Sequence, residues 1–347
     1  MITRIMVIFL LASSIAVAVK IEQPEQPLSG PGGREYFYRE VTVTAYGRDD
    51  NKYYIFEPAN FNGQNAPVVA FIHGWLALDP SGYRLWIDHL VKKGNIVIYP
   101  QYQKLLTGAD YFTIRAATAI EDALKKLSSR SNHINPDRDR FAIVGHSAGG
   151  IIAANIAAIS ENNIMLPKPK AVMCVEPGIT RLPANSFRNK RGNLDDSTVI
   201  PLYDLRKIDP ETLLITIVGD EDINVFDYDA KRIYNESIHI SYKNKDYVIM
   251  HSDYHGVPPL IADHYAPAAL IKKDFGPLLS TILPDKLAGM DGLDHYGTWK
   301  LFDALINAAF YNRGWEYLDG STLEKFMGYW SDGTPVKELT VYSKELP

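Results

Sequence analysis

Five consecutive stretches of the chain keep one rhythm: APVVAFIHG (66–74), YRLWIDHLVKKG (83–94), NIVIYP (95–100), TIRAATAIEDALKKL (113–127) and RFAIVG (140–145). The first, third and fifth are short apolar runs without polar alternation, the pattern of strands buried on both faces. The other two space their apolar residues helically, and the longer one places Ala116, Ile120, Ala123, Leu124 and Leu127 along one side. Strand, helix, strand in this order predicts an α/β fold, a mostly parallel central sheet flanked by helices. Ahead of it, EVTVTAYG (40–47) and KYYIFEP (52–58), joined by polar RDDN, predict an antiparallel N-terminal hairpin. Further on, KAVMCVEP (170–177), LLITIVG (213–219) and YVIM (247–250) supply strands, LFDALINAAF (301–310) a helix, and WSDGTPVKELTVYS (330–343) a small β tail.

The 347 residues, 46% of them hydrophobic, are enough for one large core, and a single domain is expected over residues 36–347. Residues 1–18 place Arg4 before an apolar run that ends in Ala16-Val17-Ala18, the pattern of a cleavable signal peptide. The run falls short of the roughly 20 apolar residues that span a bilayer, so an uncleaved anchor is the alternative and no stable membrane anchor is expected. Residues 19–35, with Pro24, Pro27, Gly30, Pro31, Gly32 and Gly33, read as a linker. A secreted or periplasmic location follows. Cys174 is the only cysteine, which excludes an intrachain disulfide and any cysteine-based metal cluster. A net charge of −5 gives no basic excess for nucleic acid. The polar segment 180–207 reads as an insertion, a lid or a substrate wall.

Chemistry concentrates at Gly145-His146-Ser147-Ala148-Gly149, between a strand and an apolar helix (150–159). A strand-to-helix turn of this kind holds a serine in a strained conformation with its hydroxyl exposed, the arrangement of a nucleophile elbow. With 24 glycines in the chain the pattern alone is weak, and its context strengthens it. Upstream, Phe71-Ile72-His73-Gly74-Trp75 ends an earlier strand, where the Trp75 and Ala148 N–H groups can form an oxyanion hole. His73 and His146 read as residues that shape this loop and the elbow.

The two motifs in this order resemble the α/β-hydrolase superfamily, over roughly residues 40–312. Within it the chain looks most like the branch that includes dienelactone hydrolases, chlorophyllases, platelet-activating-factor acetylhydrolases and cutinase-like polyester hydrolases. The resemblance implies a Ser, acid, His order of triad residues. GDED (219–222) then points to Asp222 as the acid, with Asp220, Glu221 and Glu176 as alternatives. HSDYHG (251–256), after the last core strand, points to His255 as the base, with His251 and His264 as alternatives. The implied activity is serine carboxylic ester hydrolysis through an acyl-enzyme, without a cofactor, on a small-molecule or polymeric ester. An amidase or peptidase of the same fold and a non-catalytic binding protein are the alternatives. Trp75, Tyr83, Tyr99, Tyr102 and Tyr254 are expected to line the substrate cleft. The His/Asp-rich stretch of His251, Asp253, His255, Asp263 and His264 offers metal-ligand chemistry, but its loop signature and Pro258-Pro259 break the helical spacing a zinc site would use, and no metal is expected.

Overall fold

The apolar runs pair into one sheet of nine strands among the described residues. The computed structural model describes residues 20–48, 51–103, 108–129, 132–180, 199–269 and 289–346. The expected signal peptide (1–18), and 181–198 of the expected insertion, lie outside them.

Strands β1 (Val41–Tyr46) and β2 (Tyr53–Pro58) form the antiparallel hairpin, and β2 continues antiparallel to β4 (Ile96–Pro100). From there β4, β3 (Asn65–Ile72), β5 (Asn135–His146), β6 (Ala171–Val175), β7 (Leu213–Gly219) and β8 (Lys245–Met250) are parallel. The short β9 (Thr340–Tyr342) closes the edge antiparallel to β8.

Period-two geometry turns each apolar run into two buried faces. Along β3, Val68, Ala70 and Ile72 enter one core and Val69 and Phe71 the other. Helices α2 (Phe112–Ser129) and α3 (Ala148–Ser160) cover the first face, and α1 (Arg84–Lys92) and α5 (Trp299–Tyr311) the second. The fourth helix, α4 (Tyr228–Glu236), packs near the β7–β8 edge. Each fully buried Val, Ile or Leu contributes roughly 1.5–3 kcal/mol, which is why continuous apolar strands suit this sandwich.

Parallel pairing in register brings the strand ends to one side. Ile72 pairs with Gly145, His146 with Val175, and Gly219 with Met250, so the loops that follow β3, β5, β6, β7 and β8 gather at one edge. Ligand sites of open α/β sheets form at these carboxyl ends.

Residues 20–35, expected as a linker, are instead an ordered strap along the domain. The Ile21 carbonyl accepts from Val257, and Glu22 exchanges hydrogen bonds with Ser331. Further along, the Gly32 N–H donates to Asp303 Oδ2 at 2.8 Å, beside His89 at 2.9 Å and Lys93 at 3.1 Å from the same oxygen. Gly32 has a φ of +72°, and a Cβ there would stand 2.0 Å from the His295 carbonyl oxygen, so glycine is required for the strap to lie down. The glycines and prolines that suggested an unstructured linker are what lets the chain follow this surface.

Asp303 is the buried anchor of the strap. Burial works against its charge, yet His89, Lys93 and the Gly32 N–H hold its carboxyl down to about 2 from an ordinary 3.8. A depressed folded value means that its contribution is complete above 3.8 and disappears as pH falls through about 2. Asp303→Asn is expected to destabilise the protein by about 3 kcal/mol in urea unfolding at neutral pH. The gap from wild type should narrow across that acid window, and equal stability at neutral pH would contradict the assignment.

Candidate active site

The turn between β5 and α3 places Ser147 at φ 55° and ψ −122°, a conformation that non-glycine residues seldom adopt. Its N–H donates to the Val175 carbonyl at 2.9 Å, and its carbonyl accepts from Gly150 at 2.9 Å and Gly178 at 3.3 Å. The flanking glycines are needed for close approach. A Cβ on Gly149 would stand 2.1 Å from the Ile72 carbonyl oxygen, and one on Gly145 would stand 2.1 Å from that of Gly149. Ser147 therefore stands at the N-terminus of α3, pressed against the end of β3.

His264 lies beside it. Its Nε2 is 2.9 Å from Ser147 Oγ, and its Nδ1 is 2.8 Å from Asp222 Oδ2. Asp222 follows β7, and its second oxygen accepts the N–H groups of Asn224 at 2.8 Å and Val225 at 3.1 Å, which fixes the carboxylate. A carboxylate can only accept, so Nδ1 carries the proton and Nε2 presents a lone pair to the serine hydroxyl.

The expectation of His255 is corrected here. Its Nε2 is 2.8 Å from Asp332, its ring packs near Trp330, and its side chain is 36% exposed at a separate surface. The reason lies in the path after β8. Asp253 and Leu260 pair with each other in a small antiparallel excursion that carries His255 outward. The chain then returns along the β7 loop, where the Ala262 carbonyl accepts from Glu221 at 3.0 Å, and this delivers His264 to Asp222. His251 bridges Asp220 and Thr340, and Asp220 also accepts from Ser252, so these two alternatives brace the loop.

On the other side of Ser147 runs the loop 73–79. Gly74 comes close enough that a Cβ would lie 3.4 Å from Ser147 Cβ. Of the expected oxyanion donors, neither the Trp75 nor the Ala148 N–H meets a protein acceptor among the described residues. The loop is held by side chains beneath it. Tyr102 donates to the His73 carbonyl and Tyr99 to that of Ala77, both at 2.5 Å, and Gln103 Oε1 accepts from Leu76 at 2.8 Å. Tyr83 Oη accepts from Gly74 at 3.1 Å.

This corrects the expected substrate lining. Tyr83, Tyr99 and Tyr102 are buried and committed to the loop, whereas Trp75 is half-buried against Phe112. Tyr254 is exposed and donates to Glu221 at 2.6 Å. Gln103, which carried no motif in the sequence, is the residue that reasoning from spacing missed. His73 stacks on Tyr102 with centroids 4.2 Å apart, and burial pushes its imidazole down to about 4, so it serves the loop as a neutral ring.

Behind His264, Glu176 follows β6 with no exposure. One of its oxygens lies 3.4 Å from His146 Nε2 and 3.7 Å from His264 Nδ1. Burial, reinforced by the charge of Asp222, pushes its carboxyl well above the ordinary range, which favours the neutral acid. His146, Glu176 and His264 are near enough to share a metal ion. However, every ring nitrogen of the two histidines is already engaged in a hydrogen bond, so the set fits a hydrogen-bonded layer better than a ligand set. The His/Asp-rich stretch 251–264 is dispersed among Asp220, Asp332 and Ser147 and forms no common centre of its own.

The strand order, the turn at Ser147 and the loops gathered at one sheet edge are those of an α/β-hydrolase fold. The family model described as Chlorophyllase matches residues 44–181, a span that contains HGW, GHSAG and Glu176 and stops before Asp222 and His264. Among solved structures, the chain is similar to one from work on two esterases of the fungus Rhizomucor miehei. That likeness has 13% identity and a TM-score of 0.44, over 62% of this chain and 75% of that one. No curated protein matches.

The geometry of the elbow can be tested without an assay. Gly149→Ala is expected to cost roughly 3 kcal/mol in urea unfolding, the upper end of overpacking costs, because the clash is with backbone that cannot rotate away. A loss below about 1 kcal/mol, within the range of ordinary core adjustments, would show that the contact relaxes.

Proposed function

We propose that the protein hydrolyses carboxylic esters, with Ser147 as nucleophile, His264 as general base and Asp222 as the carboxylate that orients the imidazole. The observation that carries this reading is the placement of one buried imidazole between Ser147 Oγ at 2.9 Å and Asp222 Oδ2 at 2.8 Å. The similarity to the chlorophyllase family supports esters as the substrate class.

A serine hydroxyl is too weak an acid to attack unaided. His264 Nε2 takes its proton as Oγ adds to the ester carbonyl, and Asp222 stabilises the imidazolium that forms. The Trp75 and Ala148 N–H groups face the developing oxyanion, and preorganised donors of this kind contribute about 3–4 kcal/mol each. Collapse of the intermediate returns the proton from His264 to the leaving alcohol and leaves an acyl-Ser147. Water, deprotonated by the same nitrogen, then releases the acid. Half-buried Trp75 and exposed Leu76, on the oxyanion side, offer an apolar wall to the acyl or alcohol portion.

Labelling by a fluorophosphonate probe should be complete in wild type and absent in Ser147→Ala. His264→Ala is expected to lower kcat/KM for a nitrophenyl ester by roughly 10⁴-fold, the loss typical of a triad member. His255→Ala should stay near wild type. Loss in His255→Ala with activity in His264→Ala would reverse the assignment. Cleavage of an aminoacyl nitroanilide but not of the ester would favour amide over ester chemistry.

A further inference from the structure

A second line of polar groups runs behind the proposed triad, and its direction can be deduced. His146 Nε2 is 2.9 Å from the main-chain carbonyl of His264. A carbonyl only accepts, so Nε2 carries a proton. Burial, followed by the influence of His264, holds the imidazole well below its ordinary value, so it is neutral and Nδ1 is bare. Tyr83 Oη, 2.7 Å away, must then donate to Nδ1. The phenol oxygen in turn accepts the Gly74 N–H at 3.1 Å.

We propose that Tyr83 and His146 are positioning residues that form a one-way hydrogen-bond chain from Gly74 to the His264 carbonyl and so set the distance between the oxyanion loop and the base. The inference rests on the reading of Ser147 and His264 given above. Two further observations support it. The Gly74 N–H is occupied by Tyr83, whereas the next N–H, that of Trp75, meets no protein acceptor among the described residues. A Cβ on Gly74 would stand 3.1 Å from Tyr83 Oη and 3.3 Å from His146 Nδ1, so the chain packs tightly over this residue and a side chain there would press on both of its links. Both rings are buried and, among the described residues, neither hydrogen-bonds Ser147 Oγ, so their effect passes through the parts they join.

Oxyanion stabilisation and proton transfer must both be in place in the transition state and matter less for ground-state binding. Breaking the chain should therefore lower kcat with little change in KM. Tyr83→Phe removes one oxygen, and His146→Asn keeps an acceptor for Tyr83 but loses the donor to His264. Each is expected to lower kcat about tenfold, the effect of one buried hydrogen bond. Because the links act in series, the double variant should lose no more than the worse single one. His146→Gln, whose amide can again donate to the His264 carbonyl, should recover part of the loss.

Wild-type kcat in Tyr83→Phe, losses that multiply in the double variant, or an effect confined to KM would overturn the inference. If Tyr83→Phe does not fold, as judged by its thermal transition, the comparison of His146→Asn with His146→Gln decides. Equal activity of those two variants would sink the chain. Ser147→Ala separates the two levels. Retained activity there removes the functional reading and this inference with it, whereas loss there alongside an unaffected Tyr83→Phe removes this inference alone.

Discussion

The site depends on a contact between backbones, that of Gly149 with the carbonyl of Ile72. It brings the N-terminus of α3 against the end of β3 and so places the loop after HGW beside Ser147. Two motifs more than 70 residues apart in the chain become neighbours because side chains are missing at Gly145 and Gly149, with Gly74 facing them from the other side. The strain at Ser147 is tolerated because the Val175, Gly150 and Gly178 hydrogen bonds fix the residue from three directions.

A turn held this tightly creates buried polar groups, and the tyrosines answer that need. Tyr83 and Tyr102 each give the loop 73–79 one hydrogen bond and Tyr99 two, while their rings fill the core beside Phe71 and Phe112. Phenylalanine would fill the same volume and leave a buried backbone group unpaired, a cost of about 1–3 kcal/mol for each group lost. The aromatic content that suggests a substrate wall is thus spent largely on holding the loop that the substrate would meet.

What the sequence makes legible is local. The buried strands follow from continuous apolar runs, and the elbow follows from glycines at fixed offsets around a serine. Asp222 could be placed beside the site through the resemblance, which puts the acid in the GDED that follows a buried strand. His264 could not, since its position depends on the Asp253–Leu260 excursion, a tertiary pairing with no periodic signal. Pro258-Pro259 and the polar SDYHG run hint at a turn, and reading them as a hairpin would have moved the choice of histidine beyond it. Residues 20–35 failed for a related reason. Glycine and proline mark a chain without regular structure, but their pattern does not distinguish a free linker from a strap fitted to a surface.

Helix α3 is apolar on all sides, and apart from half-buried Ile159 every residue of it is buried. Elements enclosed in this way lie at the high-stability end of a domain's local openings. Ser147 stands at the N-cap of that helix, so in the proposed reading the attacking residue is carried by this enclosed element. On that reading, any adjustment that admits a bulky substrate or releases a product falls to the loops that carry Trp75, Asp222 and His264, because the helix beneath Ser147 has no exposed face to yield.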